Sequence, residues 1–204
     1  MSIYITKYCH IKDKQINLNG ELVFNNPEAA NYSEFIRSAY KFSGTVYQKF
    51  YKMDNPCKLA LVATELLLKN TGIIEKYGKE NVGVVFQNAS STIDDRSNYF
   101  PSPSVFVYTL PNIMIGEICI KHKIFGENAL MIEPEFATDR LCRQINLLFE
   151  QKRVKAVIAG WIEQSKEHYD AFVYIAEDLK NENKEGVILH NKENLELKYH
   201  KIIN

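Results

Sequence analysis

Apolar and polar positions alternate over residues 1–11, with Ile3 and Ile5 on one side, a spacing that predicts a β-strand. The turn residues Asn17, Leu18, Asn19 and Gly20 come next, and then the short apolar run Leu22, Val23 and Phe24. Residues 27–51 are dense in Tyr and Phe but keep no period, which predicts an irregular segment that covers a core or meets a partner. Asn55 and Pro56 predict a helix start, and Leu59, Val62, Ala63, Leu66 and Leu67 share one face before Gly72 ends the helix. The unbroken apolar run 82–86 reads as a strand covered on both faces and ending at Gln87 and Asn88. Residues 89–100 have loop composition, which predicts a mobile surface loop.

Residues 101–135, PSPSVFVYTLPNIMIGEICIKHKIFGENALMIEPE, read as a loop entering an apolar segment and a helix opened by Asn112. A stop at Gly126 and a short buried strand that ends in acid complete the stretch. The next helix, over 136–151, is amphipathic. Leu141, Cys142, Ile145, Leu148 and Phe149 lie on one face; Asp139, Arg140, Arg143, Asn146 and Glu150 lie on the other. Residues 154–159 predict a buried strand closed by Gly160 and Trp161, and 169–178 a further strand. The tail, with the apolar runs 186–189 and 195–197, reads as a final hairpin or extension. Strands alternating with helices predict an α/β fold with a largely parallel sheet and right-handed crossovers.

Charge narrows the classes of partner. Among 204 residues, Lys and Arg total 25 and so do Asp and Glu, so no bulk field favours nucleic acid or an anionic membrane. No run approaches the roughly 18 apolar residues of a membrane span, and 1–10 lack a basic region followed by a long apolar stretch. The expectation is one cytoplasmic, soluble domain over 1–204. Cys9, Cys57, Cys119 and Cys142 are isolated, which predicts neither disulfides nor a zinc site. With no Gly-rich phosphate loop, metal-ligand cluster or Ser/His/Asp arrangement, no cofactor or metal is expected.

The 101–135 stretch resembles the nucleophile region of the β-ketoacyl-ACP synthases. In that family a Pro-rich approach and a TxxN turn lead through a helix and a Gly-Pro-Ser/Asn corner to a strand ending Thr-Ala-Cys. Thr109 and Asn112 match the turn, and Gly126, Glu127 and Asn128 match the corner. Continuing without a gap through Ala129, Leu130, Met131 and Ile132, the Thr-Ala-Cys falls on Glu133, Pro134 and Glu135. Weaker similarities extend the match from the helix at Pro56 to Asp178: Lys58 to Ala63 with the early helix, Val82 to Val85 with a Gly-Val-Val strand, and Val157 to Gly160 with an Ala-Gly-Gly strand end. The resemblance implies the N-terminal half of a thiolase-like fold, a mostly parallel sheet with helices on both faces. It further implies that Glu135 stands where the family has its nucleophilic cysteine. The two family histidines come from the C-terminal half, and His10, His122, His168, His190 and His200 form no family-like motif. His122, between two lysines at a helix end, reads as solvated or terminus-stabilised.

For function, the resemblance implies a non-catalytic ketosynthase-like subunit, similar to a chain-length factor, that forms a heterodimer with a full-length β-ketoacyl-ACP synthase. It would meet acyl carrier protein through that complex, in a pathway of the aryl polyene or flexirubin type. The resemblance places 129–134 at the pairing edge and makes Val105 and Phe106 candidates for a gate into the partner's acyl pocket, with Tyr108 beside them; a plain core role fits Val105 and Phe106 equally. Two other classes remain. A homodimer could form by pairing the same edge with itself. Alternatively, Glu133 and Glu135, two apart on a strand, could split their pKa values into acid and base roles, against which Pro134 and the following helix put Glu135 at a positive helix end that stabilises a carboxylate without chemistry.

Overall fold

A computed structural model of the chain describes residues 2–89, 107, 108, 110, 112–179 and 186–201. The loop expected over 89–100 falls almost wholly outside that range. Strands β1 (Ile3–Lys12), β2 (Gln15–Leu18), β3 (Glu21–Asn25), β4 (Val82–Asn88), β5 (Asn128–Ile132), β6 (Ala156–Ser165), β7 (His168–Asp178) and β8 (Ile188–Leu189) form one sheet. Its order is β3-β2-β1-β7-β6-β4-β5, with β8 paired to β1. β5 and β6 flank β4 in parallel, while β7 runs antiparallel between β6 and β1. β1, β3, β4, β5 and β6 therefore share one direction, and the α/β class is as expected, but the sheet is mixed: only β4–β5 and β4–β6 are parallel pairs, while the hairpins β1–β2, β2–β3 and β6–β7 and the long-range pairs β1–β7 and β1–β8 are antiparallel.

Both faces are covered. Helices α1 (Tyr32–Ser43), α2 (Asn55–Leu68), α3 (Ile73–Tyr77) and α4 (Ile113–His122) pack on one side. Helices α5 (Thr138–Glu150) and α6 (Lys192–His200) pack on the other. β1 serves both layers through an irregularity between Ile5 and Lys7. Ile3 and Ile5 face α5, but the extra residue inverts the alternation, so Cys9 and Ile11 turn into the α2 layer while Tyr8 and His10 take the α5 side. Without the bulge, the odd-numbered apolar residues would all lie on one face.

Four other expectations change. The aromatic segment 27–51 holds α1, capped by Asn31, whose side chain accepts the Glu34 amide, and a short 3-10 turn Gln48–Lys52. Tyr32, Phe35, Ile36, Ala39 and Tyr40 in fact keep the i, i+3, i+4, i+7, i+8 spacing of one buried helix face, which goes unseen when they are read together with Tyr47, Phe50 and Tyr51 beyond the helix. α2 is capped by Asp54 rather than Asn55 and stops at Leu68; Gly72, at φ 60, opens α3 instead. β6 runs on through Gly160 and Trp161. At Gly160 a Cβ would stand 2.0 Å from the Phe172 carbonyl oxygen, so the glycine admits close strand contact rather than ending the strand. The 195–197 run is not a hairpin but part of α6: Asn191 accepts the Asn194 amide and caps a helix that buries Leu195.

Because backbone atoms cannot give way at that contact, Gly160→Ala should lower unfolding free energy by about 1–3 kcal/mol. A urea titration followed by the fluorescence of Trp161, the single tryptophan, measures it, with no loss as the contrary result.

Candidate functional site

β5 is the strand at the end of the sheet, bonded to β4 and to no other strand among the described residues. Two hydrogen bonds fix which way its backbone faces. The Glu127 carbonyl accepts from the Val84 amide at 2.9 Å, and the Glu133 amide donates to the Asn88 carbonyl at 3.0 Å. In a parallel pair alternate residues bond to the neighbour. Glu127, Ala129, Met131 and Glu133 therefore face β4, and Asn128, Leu130 and Ile132 direct their N–H and C=O groups outward. The strand's side chains are half-buried except those of Asn128 and Ile132, which are exposed. Leu130 packs on the α2 side, Ala129 and Met131 on the α5 side. None of the five carries a charge.

The corner before β5 is held by Gly126, where a Cβ would lie 2.3 Å from the Val82 carbonyl oxygen. Thus a glycine is required for close backbone approach, although α4 itself ends earlier, at the left-handed Lys123. α4 is anchored by Met114, Ile115 and Ile118 in the core and by two carboxylates. Glu117, buried on α4, accepts from Tyr47 at 2.7 Å, Tyr108 at 3.1 Å and Lys49 at 3.3 Å. Burial and the Glu117 charge together push the Tyr108 phenol up to about 12. Glu65 on α2 is bonded by Lys121 at 2.7 Å, His122 at 2.6 Å and Thr45 at 2.8 Å. His122 thus sits at a helix end as expected, but its ring is pinned to α2 rather than solvated. Burial pushes the Glu65 carboxyl up, yet the His122, Lys121 and Thr45 bonds outweigh it and hold the group at about 2.

Beyond β5 the chain bends into α5. Glu133 is 7% exposed, and Arg140 grips both of its oxygens at 2.9 and 3.0 Å. Glu135 is exposed in a bend. β5 ends at Ile132, so the two glutamates do not share a strand face: Glu133 turns inward onto Arg140, and Glu135 turns out to solvent. Gln87, fully buried on β4, clamps the turn from the other side: its side chain donates to the Ala137 carbonyl at 3.1 Å and accepts the Ala137 amide at 3.0 Å. Asn88 next to it donates to the Ile162 carbonyl at 2.8 Å and to Glu163 at 3.1 Å.

Of the sequence-derived residues, Ala129, Leu130, Met131 and Ile132 therefore lie together on the free edge. Asn112 is at the start of α4 but makes no side-chain cap there. Tyr108 is half-buried and tied to Glu117. Val105, Phe106 and Thr109 lie outside the described residues. Gln87 and Glu117 were not singled out from sequence; a polar pair closing an apolar strand, and a glutamate within the apolar run of α4, were the available signals. Asp139, Arg140 and Arg143 expose 51%, 60% and 74% of their side chains, so the polar face of α5 meets water.

Solved structures similar to this chain include the ishigamide ketosynthase/chain length factor (15% identity, TM-score 0.58, 90% of this chain and 64% of that one). A ketosynthase in complex with its chain length factor from Xenorhabdus doucetiae matches at 10% identity and TM-score 0.53, over 87% of this chain and 79% of that one. A β-ketoacyl synthase from Burkholderia phymatum matches at 7% and 0.56, over 93% and 62%. The fold is that of the ketosynthases. This ketosynthase-like chain spans 64% of the length of the first of these neighbours. No protein-family model matches it, and no curated protein matches it in sequence. No helix among the described residues is long and apolar enough to cross a membrane.

Glu65→Gln should destabilise the protein near neutral pH, since the lowered pKa contributes stability that is fully present above about 4.5 and lost as pH falls toward about 2. The difference in midpoint between wild type and variant should shrink over that window; urea titrations at pH 7 and pH 3 test it, and a pH-independent gap contradicts it.

Proposed function

We propose that the protein is a non-catalytic ketosynthase-like subunit that pairs through β5 with a full-length β-ketoacyl-ACP synthase and shapes or stabilises its acyl-chain pocket. The observation that carries this reading is the free, uncharged edge strand in a ketosynthase fold. Exposed edges are ordinarily blunted by lysine, proline, a bulge or a covering segment. Among the described residues β5 has none of these between Asn128 and Ile132. An antiparallel partner strand centred opposite Leu130 bonds every outward group of Asn128, Leu130 and Ile132. That Glu135, at the position aligned with the family's cysteine, is a solvated carboxylate supports a role without thioester chemistry. Several of the similar structures are complexes: one is a ketosynthase with its chain length factor, another an acyl-carrier protein with its ketosynthase. We further propose that Val105 and Phe106, with Tyr108, serve the partner's acyl pocket and that acyl carrier protein is met through the complex, in a pathway of the aryl polyene or flexirubin type.

A homodimer is the second reading, and one observation favours it. Self-pairing about Leu130 would set Glu127, bridged to Arg153 at 3.2 Å, beside Glu133 of a second copy, bridged to its Arg140. Two carboxylates and two guanidiniums at each end leave no net charge, so such an interface is self-complementary.

Leu130→Pro separates pairing from folding. It removes an outward N–H that β4 does not use, whereas Ala129→Pro removes one that β4 does. Leu130→Pro should lower the thermal midpoint modestly, through the lost packing of a half-buried side chain, yet lose association with the co-expressed synthase at least about tenfold, as a missing backbone hydrogen bond and a ring in the interface imply. Ala129→Pro should unfold earlier. Sizing chromatography at micromolar concentration reads the result. Separate elution of the wild-type protein and the synthase, with the synthase making unchanged products alone, overturns the heterodimer; a dimer formed by the protein alone and lost in Leu130→Pro establishes the second reading.

A further inference from the structure

The C-terminal β8–α6 segment is held differently from the rest of the chain. β8 pairs with β1 only at Tyr4 and Ile5, and α6 has 9 residues, too few to be stable alone in water. Its order must come from its seat. At the middle, Leu195 is fully buried, and the Tyr199 ring packs on Phe136 and Phe172 with centroids 5.0 and 5.8 Å away. At the far end the Tyr199 hydroxyl donates to Asp170 at 2.8 Å; Asp170 also takes His10 at 2.8 Å and Lys12 at 2.9 Å.

The near end is the hinge between β8 and α6, and there His190 is 6% exposed. Its Nε2 is 3.0 Å from the Tyr174 hydroxyl on β7 and 4.0 Å from the Cys142 sulfur on α5, and its amide donates to the Ile3 carbonyl of β1. Its Nδ1 is buried with no partner. Glu193 and Glu196 of α6 and Asp139 of α5 lie around Cys142, but none of them hydrogen-bonds the ring. With its proton on Nε2, a neutral imidazole donates to the Tyr174 hydroxyl and leaves Nδ1 as an unpaired acceptor, the less costly of the two orphans. A second ring proton would place a charged N–H in the interior without an acceptor.

We propose that β8–α6 is an acid-released cover, in which protonation of His190 at its hinge undocks the segment and exposes the aromatic surface formed by Tyr8, Phe136, Phe172 and Tyr174 while the sheet beneath stays folded. Burial holds the imidazole down at about 4, against 6.5 for the free group. Since the docked value is the lower one, docking is fully favoured above pH 6.5 and weakens as pH falls from 6.5 toward 4. At pH 5 the ratio of open to closed cover rises roughly 30-fold over its neutral-pH value. Asp170 keeps its charge across that window: burial opposes the charge, but the His10, Lys12 and Tyr199 bonds outweigh burial and hold its pKa below the ordinary carboxylate value. The Asp170 tether to Tyr199 at the far end therefore survives.

Hydrogen exchange read by mass spectrometry at pH 7.5 and 5.0, corrected for intrinsic rates, tests the cover. Peptides spanning 188–201 should lose protection roughly 30-fold at pH 5 while β4 and β6 keep theirs, and the dye anilinonaphthalene sulfonate should brighten. His190→Gln should abolish the pH dependence. Tyr199→Phe, which removes the Asp170 tether, should open the cover more at both pH values with the same ratio between them. Unchanged protection at pH 5, loss in step with β4 and β6, or an undiminished pH effect in His190→Gln overturns the proposal; should that variant not fold, a pH-independent ratio in Tyr199→Phe does so.

Discussion

Strands β4, β6 and β7 carry side chains withdrawn from water on both faces, and a strand in that position needs a packed layer on each side. The helices are placed by that demand. α2, with Leu59, Ala60, Val62, Ala63 and Leu67 all fully buried, fills one layer, and α5 with Leu141 and Ile145 the other. β1 joins the two by changing parity at its bulge. Small residues then set how near the backbones come. Gly126 lies against the Val82 carbonyl and Gly160 against that of Phe172, and neither place has room for a Cβ.

Such a sheet must still end, and its two ends differ. The β3 end begins with Glu21 and is extended by a hairpin whose turn falls at Asn19 and Gly20. The β5 end has apolar residues, outward backbone groups and ion pairs only at its limits, Glu127 with Arg153 and Glu133 with Arg140. The carboxylate and amide groups behind it serve to hold that edge still. Gln87 fixes the turn after β5 through both backbone groups of Ala137, and Glu117 and Glu65 fix α4, which precedes it.

The elements with a clean period were legible in the sequence: β4 as an apolar run, α5 as an amphipathic helix, β7 as a further strand. α1 and α6 were not: the regular spacing of Tyr32, Phe35, Ile36, Ala39 and Tyr40 is lost when it is read in one segment with the aromatics Tyr47, Phe50 and Tyr51 beyond the helix, and α6 buries Leu195 alone, too little to mark a face. Of the site, the edge strand and the Gly126 corner were readable from their order along the chain. Gln87 and Glu117 were not, since what gives each its role is a partner distant in sequence, Ala137 for one and Tyr47 for the other. The shared face assigned to Glu133 and Glu135 failed for a local reason: the strand stops one residue before Glu133, and alternation ends with it.

Where a partner can dock depends on what each surface loses on leaving water. The outer face of α5 presents Arg140, gripped to Glu133, and Arg143, 2.7 Å from Asp139. Covering those pairs would strip water from charges whose mutual attraction recovers only part of the loss. Among the described residues the β5 edge presents backbone groups and the side chains of Asn128 and Ile132, with ion pairs only at its two limits. A strand laid against it restores each outward hydrogen bond as it removes water, so the desolvation cost is met within the interface itself. Ile132, 55% exposed, adds apolar area at one end of the same strip. On these grounds the edge outcompetes the helix face as a docking surface, and the charges of α5 are better suited to keeping that face in solvent than to drawing a partner onto it.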